Sequence, residues 1–383
     1  MLLIRNALIH DAIHSAPYKG CILIEGAKIK QIQPEIHCES AQILDAEGCS
    51  VYPGFIDAHC HIGLDVYAGG PMGMEFNETN DPVTPQLSAI DGINPFDHHI
   101  QLAREGGITC ICTGPGSSNP IGGTFAAIKT VGKRVDTMAV KKVAAMKCAL
   151  GENPKRFYGS KKLSSRMTAA SLIREALYKA KIYQAKVDAA GPDFAKRPAY
   201  DGKCEALLPV LRREIPLKIH AHQANDLFTA IRIAREFQVK LQLEHVTDGA
   251  LIANELAAEK DVLLNVGPFY NSSSKLEYQN VNAATPGILA KAGCDIALIT
   301  DAPVVPAQGL ALFAGMAIQA GLDTFTALQA ITLNAARHIG VEKRLGSLEK
   351  GKDADIVITQ GSPFTLEGRI KKVLINGKIV VDK

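Results

Sequence analysis

The chain has 383 residues, enough to bury one large core or two smaller ones. Its formal net charge is +3 with no acidic or basic block, which removes the usual basis for binding nucleic acid or a membrane surface. Nine cysteines, an odd number without a Cys-x-x-Cys pair, speak against a disulfide framework and for a reducing compartment. The opening residues Met1 to Ala7 lack the apolar core and cleavage site of a secretory leader, and no apolar run reaches about eighteen residues. A cytoplasmic protein is expected.

In chain order, short strands are predicted at Leu2–Ile9, Cys21–Ile24, Lys28–Ile32 and Gln42–Leu44, separated by turn residues such as Gly20, Gly26 and Pro34. The chain ends in a similar way, with strands at Ala354–Thr359 and Val373–Val381, the latter a hairpin about Asn376-Gly377. Neither end has enough strands to bury a sheet face alone. Residues 1–53 and 346–383 are therefore expected to form one discontinuous β-sandwich domain. Between them lies residue range 54–345, where apolar strands alternate with helical stretches, the pattern of a parallel sheet covered by helices. Strands are predicted to end at His61, Cys112, Ile128, Leu150, His220, His245, Val266 and Asp301. Helices fit Ile100–Gly106, about 167–186, 202–213, Ile231–Phe237 and Thr324–Ile339, and a long loop runs from Gly63 to Pro95. Eight strands with helices between them give an α/β fold, a (β/α)8 TIM barrel inserted in the sandwich, whose active site lies where the strands end.

Val51-Tyr-Pro-Gly-Phe-Ile-Asp-Ala-His-Cys-His61 is the segment that gives this barrel a chemistry. Side chains two apart on a strand share a face, so His59 and His61 project together as two ligands of one metal ion would. An isolated His-x-His is more often an ordinary pair of histidines. Here the Pro-Gly-Phe-Ile-Asp lead-in resembles the entry strand of the metal-dependent amidohydrolase superfamily, and further candidate ligands stand at later strand ends. Met146-Lys-Cys-Ala-Leu150 is similar to the fourth strand of its isoaspartyl dipeptidase and dihydroorotase branches, and Lys218-Ile-His-Ala221 to a stretch of imidazolonepropionases. Prolidases are a further branch of the same kind. Gly346 to Asp355 resembles the family's return into its β-sandwich.

The resemblance implies a metal set of His59, His61, Lys147, His220, His245 and Asp301, with Asp301 also moving the proton. A charged lysine is costly inside an apolar strand. A neutral Lys147 amine can take up carbon dioxide, and the resulting carbamate has two oxygens with which to bridge two metals. The alternatives for Lys147 are a snorkelling surface lysine or a site in which Glu152 is the ligand instead. His222 reads either as a supporting residue or as an ordinary histidine, and Asp301 alone would read as a helix cap.

The expected cofactor is a divalent metal, zinc first, as one or two ions per chain. The expected activity is hydrolysis of a C–N bond in an amide, cyclic amide or dipeptide-like small molecule by metal-activated hydroxide. A mononuclear deaminase or imidazolonepropionase-like enzyme is the alternative, and a non-catalytic barrel scaffold is the third reading, disfavoured because the whole ligand set is present. No nucleic-acid or membrane partner is expected, and the chain is expected to be a homo-oligomer.

Overall fold

The computed structural model describes residues 1–159, 163–270 and 275–383. Five strands open the chain: β1 (Leu2–Ile9), β2 (Tyr18–Glu25), β3 (Lys28–Gln33), β4 (Gln42–Asp45) and β5 (Ser50–Pro53). Three close it: β14 (Ile356–Gln360), β15 (Arg369–Ile375) and β16 (Lys378–Asp382). They join in one sheet, in the order β16-β15-β14-β5-β1-β2-β3, with β4 also on β1. The ends meet through β14, which runs antiparallel to β5 with Ile358 opposite Val51. One face of this sheet buries Ile4, Ile9, Ile22, Ile24, Val51 and Ile356 as a core of its own. The predicted hairpin is present, with Asn376 and Gly377 both at positive φ, as its tight turn requires.

The second sheet holds β6 (Phe55–Cys60), β7 (Ile108–Thr113), β8 (Ile121–Lys129), β9 (Ala139–Ala149), β10 (Leu217–Ala221), β11 (Leu241–His245), β12 (Val262–Val266) and β13 (Ile296–Leu298). Its strands follow chain order, and the sheet curls until β13 approaches β6, a nearly closed eight-stranded barrel. Three backbone bonds span that seam region: Ile56 N–H donates to Ile331 O (2.8 Å), Asp301 N–H to His59 O (3.1 Å) and His61 N–H to Ala302 O (2.7 Å). The first explains why the predicted helix over Thr324–Ile339 is really two, Thr324–Ala330 and Leu333–Ile339. Breaking at Ile331 and Thr332 frees a carbonyl for a buried strand N–H that would otherwise lack a partner. Gly54 marks the crossing between sheets, since a Cβ there would lie 2.1 Å from Thr109 Oγ1.

The expectation of an unbroken alternation of parallel strands and helices is corrected at β8. This strand runs antiparallel to both β7 and β9, while the other barrel neighbours are parallel. Only residues 114–120 separate β7 from β8. A parallel crossover needs about a dozen residues or more, so the chain has to turn straight back. The reversal delivers Phe125 into the barrel, where it packs with Ile56, Ala58, Cys112, Ala297 and Ile299. Helix Leu333–Ile339 adds Ala335, Ala336 and Ile339 to that cluster. The polar residues of the site stand on this apolar floor.

Outside the barrel, the longest helix, Arg166–Ala190, buries Ile173, Leu177 and Ala180 at helical spacing, and Ala224–Phe237 buries Leu227, Ala230, Ile231 and Ala234. All nine cysteines are free thiols. Among the described residues, no helix is long and apolar enough to cross a membrane.

Candidate active site

The strand ends bring the predicted residues to one mouth of the barrel. His59 and His61 stand on or just beyond β6, Lys147 on β9, His220 on β10, His245 at the tip of β11, and Asp301 three residues after β13. All are buried. His245 and Asp301 have φ of +75° and +54°, the left-handed region that is unfavourable for a side-chain-bearing residue. Such strain at two strand ends re-aims them into the mouth, which is where strained backbone collects in functional sites.

Asp301 Oδ1 lies 3.1 Å from His61 Nε2 and 3.3 Å from His59 Nε2. Lys147 Nζ is 3.4 Å from the same His59 Nε2. The outward nitrogens are anchored. His61 Nδ1 donates to Gly114 O (2.8 Å) and His245 Nδ1 to Gly267 O (2.8 Å). His59 Nδ1 lies 3.0 Å from Glu244 Oε2, and His222 Nδ1 is 2.7 Å from Thr247 Oγ1. A carbonyl oxygen only accepts, so His61 and His245 carry their proton on Nδ1 and present a bare Nε2 lone pair inward. His61 Nε2 and Asp301 Oδ1 then face each other as two acceptors.

That arrangement calls for positive charge, and imidazolium is a poor source of it. Burial lowers the pKa of His59, helped by the Lys147 charge, and burial takes His245 down to about 4. His220 and His222 are lowered well below the usual imidazole range, by burial and then by neighbouring imidazole charge. Burial works to raise Asp301, and only positive charge on the side of His245, His59 and His61 holds its carboxyl well below the usual range; with those imidazoles neutral, a bound cation would supply that charge. Neutral imidazoles, an ionised carboxylate and anchoring on the far ring nitrogens suit a divalent cation. Two groups have ligand atoms within 4.8 Å of one another: His59 with His245 and Asp301, and His220 with His222 and His245. The donor set therefore fits a metal.

Lys147 is fully buried, and its neighbour across the strand pair is Lys218. Desolvation brings the Lys147 pKa down to about 8, against the opposing charges of Glu244 and Asp301. Its Nζ sits 5.6 Å over the Phe125 ring. Glu152 starts the helix Glu152–Tyr158, and it is its backbone N–H that reaches into the site, donating to Glu277 Oε2. Its carboxylate belongs to neither metal-competent group among the described residues. His222, by contrast, stands in the imidazole cluster, stacked on His245 at 4.5 Å.

Five buried residues were missed by the sequence reading: Glu244, Lys218, Asn265, Asp57 and Glu277. Glu244 accepts from Lys218 Nζ (2.9 Å) and Asn265 Nδ2 (2.8 Å) while facing His59. Asn265 in turn meets His338 Nδ1 at 2.7 Å, so a polar network runs beneath the site. Asp57 bonds Thr300 Oγ1 across the seam and accepts from His59 N–H (3.2 Å), tying two ligand-bearing segments together. Glu277 stands against His220 and His222. A signal existed for Lys218: a second charge in an apolar strand, two residues before His220 and so on its face. Glu244 was masked because alternation puts it opposite His245, and the positive φ at His245 defeats that alternation. The long loop also contributes, laying Phe76 parallel to the His61 ring at 5.3 Å.

A nearly closed barrel with imidazoles and a carboxylate gathered at its strand ends defines an enzyme site of hydrolytic type. The amidohydrolase family profile matches residues 50–380, and the chain belongs to that family. It is similar to the amidohydrolase tasK of Hapsidospora irregularis, 29% identical over 428 aligned residues that include 99% of this chain. The chain spans only 43% of that protein's length. It is 27% identical to an imidazolonepropionase of Symbiobacterium thermophilum, covering 89% of this chain and 84% of the relative. A solved amidohydrolase of Thermotoga maritima superposes over 100% of both chains with a TM-score of 0.96 and 39% identity. A prolidase solved with N-methylphosphonate-L-proline shares the fold, with a TM-score of 0.63 at 16% identity.

Proposed function

We propose that this enzyme is a metal-dependent hydrolase that cleaves the C–N bond of an amide, cyclic amide or dipeptide-like small molecule. The observation that carries the reading is the single carboxylate oxygen, Asp301 Oδ1, shared at 3.1 and 3.3 Å by two imidazole Nε2 atoms. His59, His61 and Asp301 would hold a divalent ion, zinc being the one favoured by nitrogen and oxygen donors, with His220, His245 and Lys147 beside them. Such an ion supplies the Lewis acidity that makes water nucleophilic near neutral pH. Oδ1 of Asp301 faces the imidazoles, and Oδ2 is left to take the proton from that water. The water oxygen bonds to the carbonyl carbon, the C–N bond breaks, and Asp301 returns the proton to the departing nitrogen. Glu244 keeps His59 turned, and Phe125 and Phe76 exclude bulk water from the ring faces. We also read the chain as two domains, residues 1–53 with 346–383 and residues 54–345, the latter a TIM-type barrel with one reversed strand.

His59→Ala with His61→Ala is expected to abolish bound metal, measured by elemental analysis, with the fold retained by circular dichroism. Undiminished metal would defeat the reading. The substrate is to be sought by screening dipeptides, N-acyl amino acids and cyclic amides.

Lys147 is read as carboxylated. Its neutral amine attacks carbon dioxide, the N–C bond forms and a proton leaves. Complete burial of Lys147, with Nζ 3.4 Å from His59 Nε2, supports this. Lys147→Ala is expected to lose at least one ion of about two per chain and to be partly restored by short carboxylic acids. One ion per chain with an unmodified Lys147, in protein prepared with excess metal and bicarbonate, would favour the mononuclear, imidazolonepropionase-like alternative. That reading draws its support from the relative at 27% identity.

A further inference from the structure

Beneath the mouth, three buried side chains connect His59 to the helix Leu333–Ile339. Glu244 Oε2 stands 3.0 Å from His59 Nδ1, and both atoms are buried with no hydrogen bond elsewhere. The other Glu244 oxygen, Oε1, accepts from Lys218 Nζ (2.9 Å) and from Asn265 Nδ2 (2.8 Å). The Asn265 carbonyl Oδ1 meets His338 Nδ1 at 2.7 Å. His338 is buried on the inner side of that helix. Its peptide oxygen accepts from Gln242 Nε2, and Gln242 Oε1 accepts from Lys218 Nζ at 3.4 Å. The contacts thus form a closed circuit through β10, β11, β12 and the helix.

An amide can turn over with little change of shape, so the polarity at its two ends is what fixes Asn265. Turned over, it would set Oδ1 against Glu244 Oε1, two acceptors, and push away the carboxylate that faces His59. His338 prevents this only with a proton on Nδ1. Burial lowers the His338 pKa against the pull of Asp295, so a neutral ring has one proton to place. The rival place is Nε2, which faces Asp295 Oδ1 at 3.2 Å. That choice would either leave two acceptors 2.7 Å apart or turn Asn265 over. Asp295 Oδ1 has another donor in Arg337, at 3.2 Å.

We infer that His338 is a positioning residue for His59: its Nδ1–H fixes the Asn265 amide, which holds the Glu244 carboxylate against His59 Nδ1 and keeps the His59 Nε2 lone pair turned into the mouth. The ligand role of His59 rests on the metal-dependent reading, and the experiment separates the two.

Full-length protein with 15N-labelled histidines is stripped of metal with a chelator, and its ring-nitrogen shifts are measured by NMR. The wild type is expected to carry the proton on Nδ1 in both His338 and His59. His338→Leu, folded by circular dichroism, is expected to give His59 a mixture of tautomers. Zinc binding, measured against a competing chelator, should weaken by roughly tenfold, the lower end of what groups behind a ligand are worth. His338→Asn restores an N–H towards Asn265 and is expected to bring both readouts back towards wild type. If His338 only fills space, leucine, the closer in bulk, would be the better replacement, and that order would overturn the inference. An unchanged His59 ring and zinc affinity in His338→Leu would overturn it as well. So would a wild type with the His338 proton on Nε2, a result that needs no variant to fold. A wild type that binds no zinc would overturn the metal-dependent reading and leave the ring-nitrogen shifts to decide the inference.

Discussion

Asp301→Asn is expected to lower turnover by roughly 10² to 10⁴, the usual worth of a positioned general base, while most of the bound metal remains. Asparagine matches aspartate in size and keeps one oxygen where Oδ1 meets His59 and His61 at 3.3 and 3.1 Å. It cannot take up the water proton. The measurement is kcat on a substrate found by screening, beside metal content from the same preparation. A variant that works at near wild-type rate would reduce Asp301 to a ligand or a cap. Loss of both metal and activity would leave its proton role without support. The strained φ of +54° adds a second expectation for this variant. Its stability should change little, because the backbone geometry is held by Asp301 N–H donating to His59 O rather than by the side chain.

Lys129→Met is expected to destabilise the protein by about 3–5 kcal/mol, the cost of removing one partner from a buried charge cluster. Lys129 ends β8 and is nearly inaccessible. Its Nζ donates to Asp353 Oδ2 (2.8 Å), Asp355 Oδ1 (2.9 Å) and Asn376 Oδ1 (2.5 Å), so it pins the end-strand sheet to the barrel. Asp353 keeps two other cations, Lys28 and Arg344. Asp355 keeps none of these, and burial already raises its pKa, so the substitution strands it. Urea unfolding measures the effect, and a loss under about 1 kcal/mol would contradict it. The pH dependence follows the same cluster. Burial tends to raise Asp353, but its bonds to Lys129, Lys28 and Arg344 prevail and bring it from 3.8 to about 2. Its folded pKa is depressed, so its stabilisation is fully present above about 4 and is lost as pH falls towards 2. The deficit of Lys129→Met relative to the wild type should therefore shrink as pH falls and Asp353 and the stranded Asp355 take up protons.

Much of this enzyme can be read from the chain because its signals are local. His59 and His61 share a face by strand geometry alone, and the predicted ends of β11 at His245 and β12 at Val266 coincide with those found. The reversal of β8 was also readable in principle. A link of residues 114–120 is too short for a crossover, and loop length was not weighed against the strand pattern. Glu277 was not readable. It sits outside any periodic element, and its meaning comes from His220 and His222, more than fifty positions earlier in the chain.

The sequence by itself determined the family, the strand ends on which His59, His61, His220, His245 and Asp301 stand, and the need for the two chain ends to pair. Periodicity and short motifs carry those, and each depends on residues a few positions apart. Tertiary structure alone decided which atoms face which. Gly114 and Gly267 carbonyls set the protons of His61 and His245, Glu244 turns His59 from across the barrel, and left-handed backbone at His245 and Asp301 re-aims both. These are contacts between segments distant in sequence, fixed only once the barrel closes, and no pattern along the chain encodes a tautomer or the direction of a lone pair.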